Sequence, residues 1–329
     1  MKIAVVLAAL PALASAFAVR KDWATLSQAE KDTFATGLNI MKAQGVYDEL
    51  VRLHLEAYLT PCPWGEEDPD TLYRNGDQKG PAFLPWHREQ LLQFERELQK
   101  AVNDDSFGIP YWNFMNDATS LNPKENPMWT PEGVGGDGVA TAGGRPVVID
   151  GPFAYWPIKY SQSDEKFLER TLGKIVEHPA NAGDMLAAFN QTEYDSEPYS
   201  ARSKTGFRNW VEGFYSTRGQ QGREPGDLMT SMHAQAHGFI GASMLTGTSP
   251  NDPAFFLVHS FTDGLWYQWQ NMMIQNNPGS TFSDHYQPHA NGPIGHNIDD
   301  ALVSLGGKTA RDVLDTTKLP YAYAGLPLY

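Results

Sequence analysis

The sequence is short of three features, and each absence excludes a class of protein. Only one cysteine, Cys62, occurs in 329 residues, so no disulfide can form within the chain. Lysine and arginine number 25 against 39 aspartates and glutamates, and the net charge of −14 argues against nucleic acid or an anionic membrane surface as a partner. No run of apolar residues is long enough to span a bilayer. These absences favour a globular protein that binds neither nucleic acid nor membrane.

The first 16 residues have the three parts of a secretory signal peptide. Lys2 supplies the positive charge, Ile3 to Leu13 the apolar stretch, and Ala14 to Ala16 the small residues typical of a cleavage site. We therefore expect a secreted protein with one domain over residues 17–329, because no repeat or internal boundary divides the rest. Asn190, in Asn-Gln-Thr, is the single candidate glycosylation site, and an unused sequon is the equal alternative.

Helical periodicity dominates the pattern and predicts a mainly α fold wrapped in long loops. The predicted helices run roughly from Leu26 to Tyr58, Pro85 to Val102, Lys204 to Gly213, Asp227 to Phe239 and Asp252 to Met273. Between Asn116 and Ser163, Pro, Gly, Asp and Asn predict a long ordered loop with short strands near Val147 to Ile149. A short helix is expected from Ala310 to Leu314, with Thr309 as its cap.

The most specific functional signal is a histidine pattern that begins at His233. His233 and His237 are four residues apart, so both imidazoles lie on one face of a helix and can reach a single metal ion. His259 lies on the next predicted helix, which Asp252 and Pro253 start, and can complete a three-nitrogen site. Three protein ligands with one open position are typical of a metal that performs chemistry or binds a small molecule.

Further histidines lie outside this pattern. His54 is in the middle of a predicted helix, and His87 follows Pro85 in a Phe-Leu-Pro-Trp-His string. Taken alone, either residue is more often packed or exposed than bound to metal. Four histidines in loops are possible substitute ligands, but their loop settings favour surface roles; these are His178, His285, His289 and His296.

Together with other motifs, these histidines resemble the tyrosinase, catechol oxidase and hemocyanin family. The matching segments are Gly80 to Arg88, Pro110 to Asn113, Phe207 to Gly213, the histidines at 233, 237 and 259, and Tyr321 to Tyr323. The resemblance extends over about Tyr47 to Tyr323. It implies a four-helix-bundle dinuclear metal core with two coppers, each bound by three histidines from one helix pair. It also implies that a small aromatic substrate and dioxygen are the partners.

One departure from the family pattern affects the first metal site. The family has a histidine nine positions before that of the Trp-His string, and this chain has Gln78 there. The resemblance therefore assigns His54 and His87 to the first site, with Gln78 at the position of the missing ligand. An amide oxygen is a weaker and harder ligand than imidazole, so this site is expected to be weakened, empty or occupied by a metal other than copper. The alternative is a tolerant site that Gln78 completes.

Other departures concern the substrate. In family members that hydroxylate monophenols, an asparagine after the first histidine of the second site and a glutamate orient a water that deprotonates the phenol. This chain has Glu212 but has Ala234 in place of the asparagine, which favours o-diphenol oxidation over monophenol hydroxylation. Val258 replaces a second histidine beside His259. No cysteine lies two residues before position 78, so no thioether can form there, and Cys62 is predicted to be a free, buried thiol.

The position of one carboxylate predicts support behind the metal ligands. Asp263 is four residues after His259, so it lies on the same helix face. It is predicted to accept a hydrogen bond from a ligand imidazole or from Arg88, and such a contact fixes a ligand's orientation.

Three functions remain open at this point. The first, which we predict, is a secreted copper oxidase of phenols or catechols in fungal pigment or secondary-metabolite biosynthesis. The second is a non-oxidative relative that resembles the cyclopenases, in which one Lewis-acidic metal, copper or zinc, assists ring contraction of an alkaloid. The third is an oxygen or metal carrier, which is disfavoured because reversible oxygen binding requires two firmly held coppers.

Overall fold

The computed structural model describes residues 17–65, 74–179, 182–217 and 231–326. The predicted signal peptide, residues 1–16, lies outside the described residues. The predicted mainly helical fold is confirmed. The helices are α1 Gln28–Ala43, α2 Val46–Tyr58, α3 Phe83–Val102, α4 Phe114–Asp117, α5 Ala182–Phe189, α6 Phe207–Glu212, α7 Met232–Ile240, α8 Ala254–Asn276 and α9 Arg311–Leu314. The strands are β1 Ala18–Lys21, β2 Val139–Ala140, β3 Pro146–Val147 and β4 Tyr321–Ala324.

Helices α2, α3, α7 and α8 form the bundle that carries the predicted metal ligands. Helix α3 packs against both α2 and α8, and α7 packs against α8. Between α3 and α8 the rings of Phe94 and Phe256 stack with their centroids 3.7 Å apart. Every residue of α8 from Ala254 to Trp266 is buried, as expected of a helix that is covered on all sides. Among the described residues no helix is long and apolar enough to cross a membrane.

The stretch from Leu26 to Tyr58 forms two helices, so the prediction of one continuous helix there is wrong. Ser27 and Glu30 make a reciprocal capping box that starts α1. Gly45 then adopts a left-handed conformation with φ of 78°, which ends the first helical path and sets the direction of α2. Periodicity on both sides of this glycine is continuous, and for this reason the break was missed.

Other helix boundaries differ from the predictions for local reasons. Helix α3 begins at Phe83, and Pro85 is tolerated in its first turn because amide groups there have no intrahelical partner. Helix α5 was not predicted. The prediction that Thr309 caps α9 is wrong. Ala310 precedes the first helical residue and no side chain caps this end, while the Thr309 hydroxyl donates to the carboxylate of Asp312 at 3.0 Å. Part of the helix predicted from Asp227 lies outside the described residues, and α7 begins at Met232.

The two ends of the described chain meet behind the bundle. Strand β1 pairs in parallel with β4, and Arg20 on β1 contacts Glu95 of α3 through two hydrogen bonds of 3.0 and 3.1 Å. Arg20 also donates to Asp263 of α8 at 3.1 Å. Asp263 accepts a further hydrogen bond from Arg88 of α3 at 2.5 Å. A buried network of charges therefore joins α3 and α8 to both terminal strands.

Candidate metal centre

Three imidazoles on α7 and α8 converge on one point. The Nε2 atom of His259 lies 3.1 Å from Nε2 of His233 and 3.2 Å from Nε2 of His237. Ligands about 2.0–2.1 Å from a tetrahedral ion lie roughly 3.3 Å from one another. The spacing of these nitrogens therefore suits a single bound cation, and the structure brings together the three residues that the sequence pattern assigned to one site.

The backbone fixes the orientation of the imidazoles at this second group. The Nδ1 atom of His237 lies 2.8 Å from the carbonyl oxygen of Met244, and Nδ1 of His233 lies 3.3 Å from that of Glu212. A proton on each Nδ1 leaves the Nε2 lone pair available for a metal. Burial lowers the pKa of His237 to about 4 and holds those of His233 and His259 well below the usual value. All three rings are therefore neutral at neutral pH.

A second group of ligand atoms lies between α2 and α3. It consists of His54, His87 and Asp77, whose ligand atoms all lie within 4.8 Å of one another. One carboxylate oxygen of Asp77 is 3.3 Å from Nε2 of His54. Sequence reasoning missed Asp77 and singled out its neighbour Gln78, which is half-buried and lines the adjoining cleft. The sequence did contain one signal for Asp77, which is that this carboxylate directly precedes the position at which the resemblance implies a histidine.

Among the described residues, the ligand atoms of this first group have no hydrogen-bond partners. The Nδ1 atoms of His54 and His87 face the carbonyl oxygens of Gly247 and Phe83, each at 2.8 Å. The two Nε2 atoms and both carboxylate oxygens of Asp77 are buried, and no described residue forms a hydrogen bond with them. Buried polar atoms normally have partners, and a buried carboxylate is normally paired with a cation or bound to a metal. The four unpartnered atoms therefore fit a metal ion.

The loop of residues 75–82 places Asp77 in this position. The side-chain oxygen of Asn75 accepts hydrogen bonds from the backbone amides of Asp77 at 3.3 Å and Gln78 at 2.8 Å, which turns the chain inward. His296 spans the loop, since its Nδ1 accepts from the amide of Ala82 at 2.9 Å and its Nε2 donates to the carbonyl of Asn75 at 3.0 Å. The predicted surface role of His296 is wrong, because the loop packs over the ring and buries it completely.

The other loop histidines lie apart from both groups. His285 contacts the hydroxyl of Ser280 at 2.8 Å, and His289 is exposed and contacts the carbonyl of Ser283 at 2.9 Å. His178 is half-buried. In the described ranges none of these three belongs to either group of ligand atoms.

Replacing His296 with glutamine should change how stability depends on pH. Burial lowers the pKa of His296 to about 3, so between about pH 3 and the usual value of 6.5 the unfolded chain binds a proton that the folded chain does not. The free energy of unfolding therefore falls with decreasing pH in this window. In His296→Gln this slope should be shallower by up to about 1.4 kcal/mol per pH unit. Urea unfolding of the metal-free native and variant proteins from pH 3.5 to 7 measures this difference in slope. Equal slopes would contradict the lowered pKa of His296.

The two groups of ligand atoms are neighbours across the bundle. The rings of His87 and His259 stack with centroids 4.1 Å apart and an angle of 18° between their planes. A cleft with a cavity volume of about 100 Å³ reaches both groups through His54, His233 and His237. A molecule in this cleft can therefore contact both metal positions.

The wall of the cleft combines an apolar surface with one carboxylate. Phe214, Ala234, Met244 and Leu245 contribute the apolar part, and Glu212 contributes the carboxylate. Ala234 thus faces the cleft without offering a hydrogen bond from its side chain.

Each carboxylate oxygen of Glu212 accepts one hydrogen bond from the protein. One accepts from Arg208 at 2.9 Å and the other from the backbone amide of Lys79. Burial raises the pKa of Glu212 to about 7, and the Arg208 charge opposes this rise. Glu212 therefore ties the 75–82 loop to α6, next to His233.

The remaining predicted residues lie behind the centre or on the surface. Asp263 accepts a hydrogen bond from Arg88 and not from an imidazole. It therefore supports the metal ligands indirectly, by joining the helices α3 and α8 that carry them. Val258 is buried. Cys62 is a free, buried thiol, as predicted. Asn190 is exposed directly after α5, and its glycosylation stays a prediction.

Comparison with known proteins identifies the family. The model of the common central domain of tyrosinase matches residues 44–272. A tyrosinase of Streptomyces glaucescens is 35% identical over 303 residues, which cover 91% of this chain and 96% of that protein. Grixazone synthase of Streptomyces griseus is 30% identical over 93% of this chain and 98% of its own length.

Solved structures support the same fold. A polyphenol oxidase from Thermothelomyces thermophila has a TM-score of 0.67 at 20% identity and covers 94% of this chain and 89% of its own. A functional unit of octopus hemocyanin has a TM-score of 0.55 at 18% identity, with 93% of this chain and 68% of its own covered. At these identities the likeness concerns the fold alone, whereas the curated relatives share sequence over nearly their whole length. The chain therefore belongs to the tyrosinase family.

Proposed function

We propose that this protein is a dicopper oxidase that converts catechol-type small molecules to o-quinones with dioxygen. The observation that carries the proposal is the convergence of three neutral imidazoles at 3.1 and 3.2 Å, with His259 stacked on a ligand of the adjoining group. Imidazole nitrogen suits copper, and the three neutral ligands of this group leave both copper oxidation states accessible there. Family membership supports an oxidoreductase with two coppers.

The overall reaction balances as two catechols and one dioxygen giving two o-quinones and two waters. Copper at the two sites would supply the electron transfer from catechol to dioxygen. His233, His237 and His259 would hold one ion, and His54 and His87 with Asp77 would hold the other. Phe214, Met244 and Leu245 would pack against the aromatic ring and exclude water from it, which orients the two hydroxyls toward the ligand atoms.

We propose o-diphenols rather than monophenols as substrates. Hydroxylation of a monophenol requires removal of the phenolic proton, and Ala234 offers no side-chain group to hold a water for that step. Glu212 accepts hydrogen bonds from Arg208 and from the amide of Lys79, and both contacts oppose its taking up a proton. A catechol can give up its protons to solvent at the open cleft, which reduces the need for a fixed base.

The experiment is oxygen uptake by metal-free and copper-loaded protein with catechol and with phenol. We expect two coppers per chain, consumption of one dioxygen per two catechols, and no measurable uptake with phenol. Uptake should disappear when copper is removed and return when copper is added. Two bound coppers without oxygen consumption would contradict the oxidase.

A non-oxidative reaction is the second candidate, and Asp77 is the observation that favours it. A carboxylate oxygen is a hard ligand that suits zinc as well as divalent copper. A single Lewis-acidic ion in the first group would polarise a carbonyl or epoxide oxygen of a substrate in the cleft. Zinc in the purified protein, together with substrate turnover that consumes no oxygen, would establish this candidate over the oxidase.

Secretion and a role in pigment or secondary metabolism complete the proposal. Secretion is proposed from the pattern of residues 1–16. The bacterial origin of the similar tyrosinases lends no support to the fungal setting expected from the sequence.

A further inference from the structure

We infer that Asp77, and not Gln78, is the third protein ligand of the first metal site, which is therefore a two-histidine, one-carboxylate site selective for a divalent cation. This inference rests on the proposed function only in so far as both require a metal at this position. Nothing in the family match assigns a carboxylate here. Its consequence is that the two metal sites of the protein are chemically unequal.

Geometry separates Asp77 from its neighbour. Asp77 has no exposed surface, and one of its oxygens lies 3.3 Å from Nε2 of His54, the separation roughly expected for two ligands of one tetrahedral ion. Gln78 is half-buried and contributes to the wall of the open cleft. The buried residue thus has the unpartnered oxygens, and the half-buried residue can satisfy its amide with water.

The charges around Asp77 call for a cation. Asp77 lies near Glu212, a second buried carboxylate. The only positive side chain that pairs with Glu212 in the described part of the chain is Arg208, which also pairs with Asp195. Neither carboxylate oxygen of Asp77 accepts a hydrogen bond from a described residue. A divalent ion between these ligands would offset a carboxylate charge that no lysine or arginine of the described residues pairs with.

The donor set determines which ion is preferred. Carboxylate oxygen is harder than imidazole nitrogen, so it favours Zn²⁺ or Cu²⁺ over Cu⁺. The second site has three neutral nitrogens and lacks this bias. We therefore expect the first site to bind Zn²⁺ at least tenfold more tightly, relative to Cu⁺, than a site with histidine in place of Asp77.

The loop makes the site rigid before any metal binds. Asn75 turns the backbone at Asp77, and His296 holds both ends of the 75–82 loop. Ligands held in place by such contacts lose little conformational entropy on binding an ion. Burying a carboxylate without a hydrogen bond from any described residue costs free energy, and metal binding would offset this cost.

Zinc titration of the metal-free full-length protein tests the inference, with calorimetry and elemental analysis as readouts. We expect two Zn²⁺ per chain in the native sequence. Asp77→Asn, which keeps size and removes charge, should weaken one of the two sites at least a hundredfold and leave the other unchanged. The matched control Gln78→Ala should retain both sites within threefold. His259→Ala should lose the site that Asp77→Asn keeps, and the double variant should bind no zinc.

Further variants keep the test decisive. The zinc-induced rise in melting temperature should be smaller in Asp77→Asn than in the native protein, although the metal-free variant melts at the same temperature or higher. Asp77→His should restore two sites and shift the first toward Cu⁺. Unchanged stoichiometry and affinity in Asp77→Asn, or loss of a site in Gln78→Ala, would overturn the inference. Two bound coppers, one of them dependent on Asp77, without catechol oxidation would instead reject the proposed oxidase and leave the ligand assignment intact.

Discussion

His259→Ala should reduce catechol oxidation by roughly a hundredfold or more, because it removes a metal ligand at the centre of the site. Its Nε2 is the atom that approaches both other imidazoles of the second group, at 3.1 and 3.2 Å. Its ring also stacks on His87, so the loss affects the ligands of both groups. Initial rates of oxygen uptake and copper content per chain measure the effect, and we expect the copper content to fall from two toward one.

A matched control separates this effect from a general loss of histidine. His289 is exposed and is absent from both groups of ligand atoms, so His289→Ala should retain full copper content and a rate within twofold of the native protein. Truncation of the His259 side chain also weakens packing, since the centroid of its ring lies 4.0 Å from that of the Phe255 ring. Circular dichroism and the melting temperature of the metal-free variant therefore accompany the rates. Full activity in a folded His259→Ala protein would remove the basis of the proposed function.

The second metal group could be predicted from the sequence because its geometry is local. The four-residue spacing of His233 and His237 fixes their common direction on any helix. Asp252, whose side chain accepts from the amide of Ala254 at 2.9 Å, marks the start of the helix that carries His259. Only the approach of α7 to α8 is non-local, and the connection between them is short enough to make them neighbours.

The first group depends on contacts that no local pattern records. The direction of Asp77 depends on the hydrogen bonds of Asn75 within the loop and on His296, which lies more than two hundred residues away in the sequence. Position counting identified Gln78 as the residue expected to replace a histidine, and this stays a prediction. It could not show that a one-residue difference in a loop without helical or strand periodicity brings the neighbouring carboxylate to the site.

The supporting network behind the site was predicted only in part. The spacing on α8 indicated that Asp263 could reach Arg88, and α3 brings the two together. Arg20 was not predicted, because its contact with Asp263 depends on the pairing of β1 with β4 at the two ends of the described chain. Pairing between strands so distant in sequence leaves no periodic signal.

Asp263→Asn should lower the free energy of unfolding by about 3–5 kcal/mol, because it leaves buried positive charge without its partner. Asp263 is 3% exposed and accepts hydrogen bonds from Arg20, Arg88, Tyr321 and Tyr323. An amide can replace some of these contacts but cannot offset the charges of two guanidinium groups. Urea unfolding at pH 7 measures the loss.

The matched control for this prediction is an ion pair on the surface. Asp299 contacts Arg311 at 2.5 and 2.8 Å, which is as close as the buried pair, but both side chains are exposed. Because water and salt screen such a pair, Asp299→Asn should leave the unfolding midpoint unchanged. Equal effects of the two substitutions would show that burial of the network contributes nothing beyond its contacts.

The loss caused by Asp263→Asn should also depend on pH in a defined direction. Burial alone would raise the pKa of Asp263, but the charges of Arg88 and Arg20 outweigh it and hold the pKa below its usual value. The carboxylate therefore stabilises the folded state fully above the unfolded pKa of about 3.9 and progressively less as the pH falls through the folded value. The difference between native and variant proteins should be constant from pH 7 to about 5 and shrink below about 4. A difference that grows with acidity would mean that Asp263 is protonated in the folded protein and that another group neutralises the two arginines.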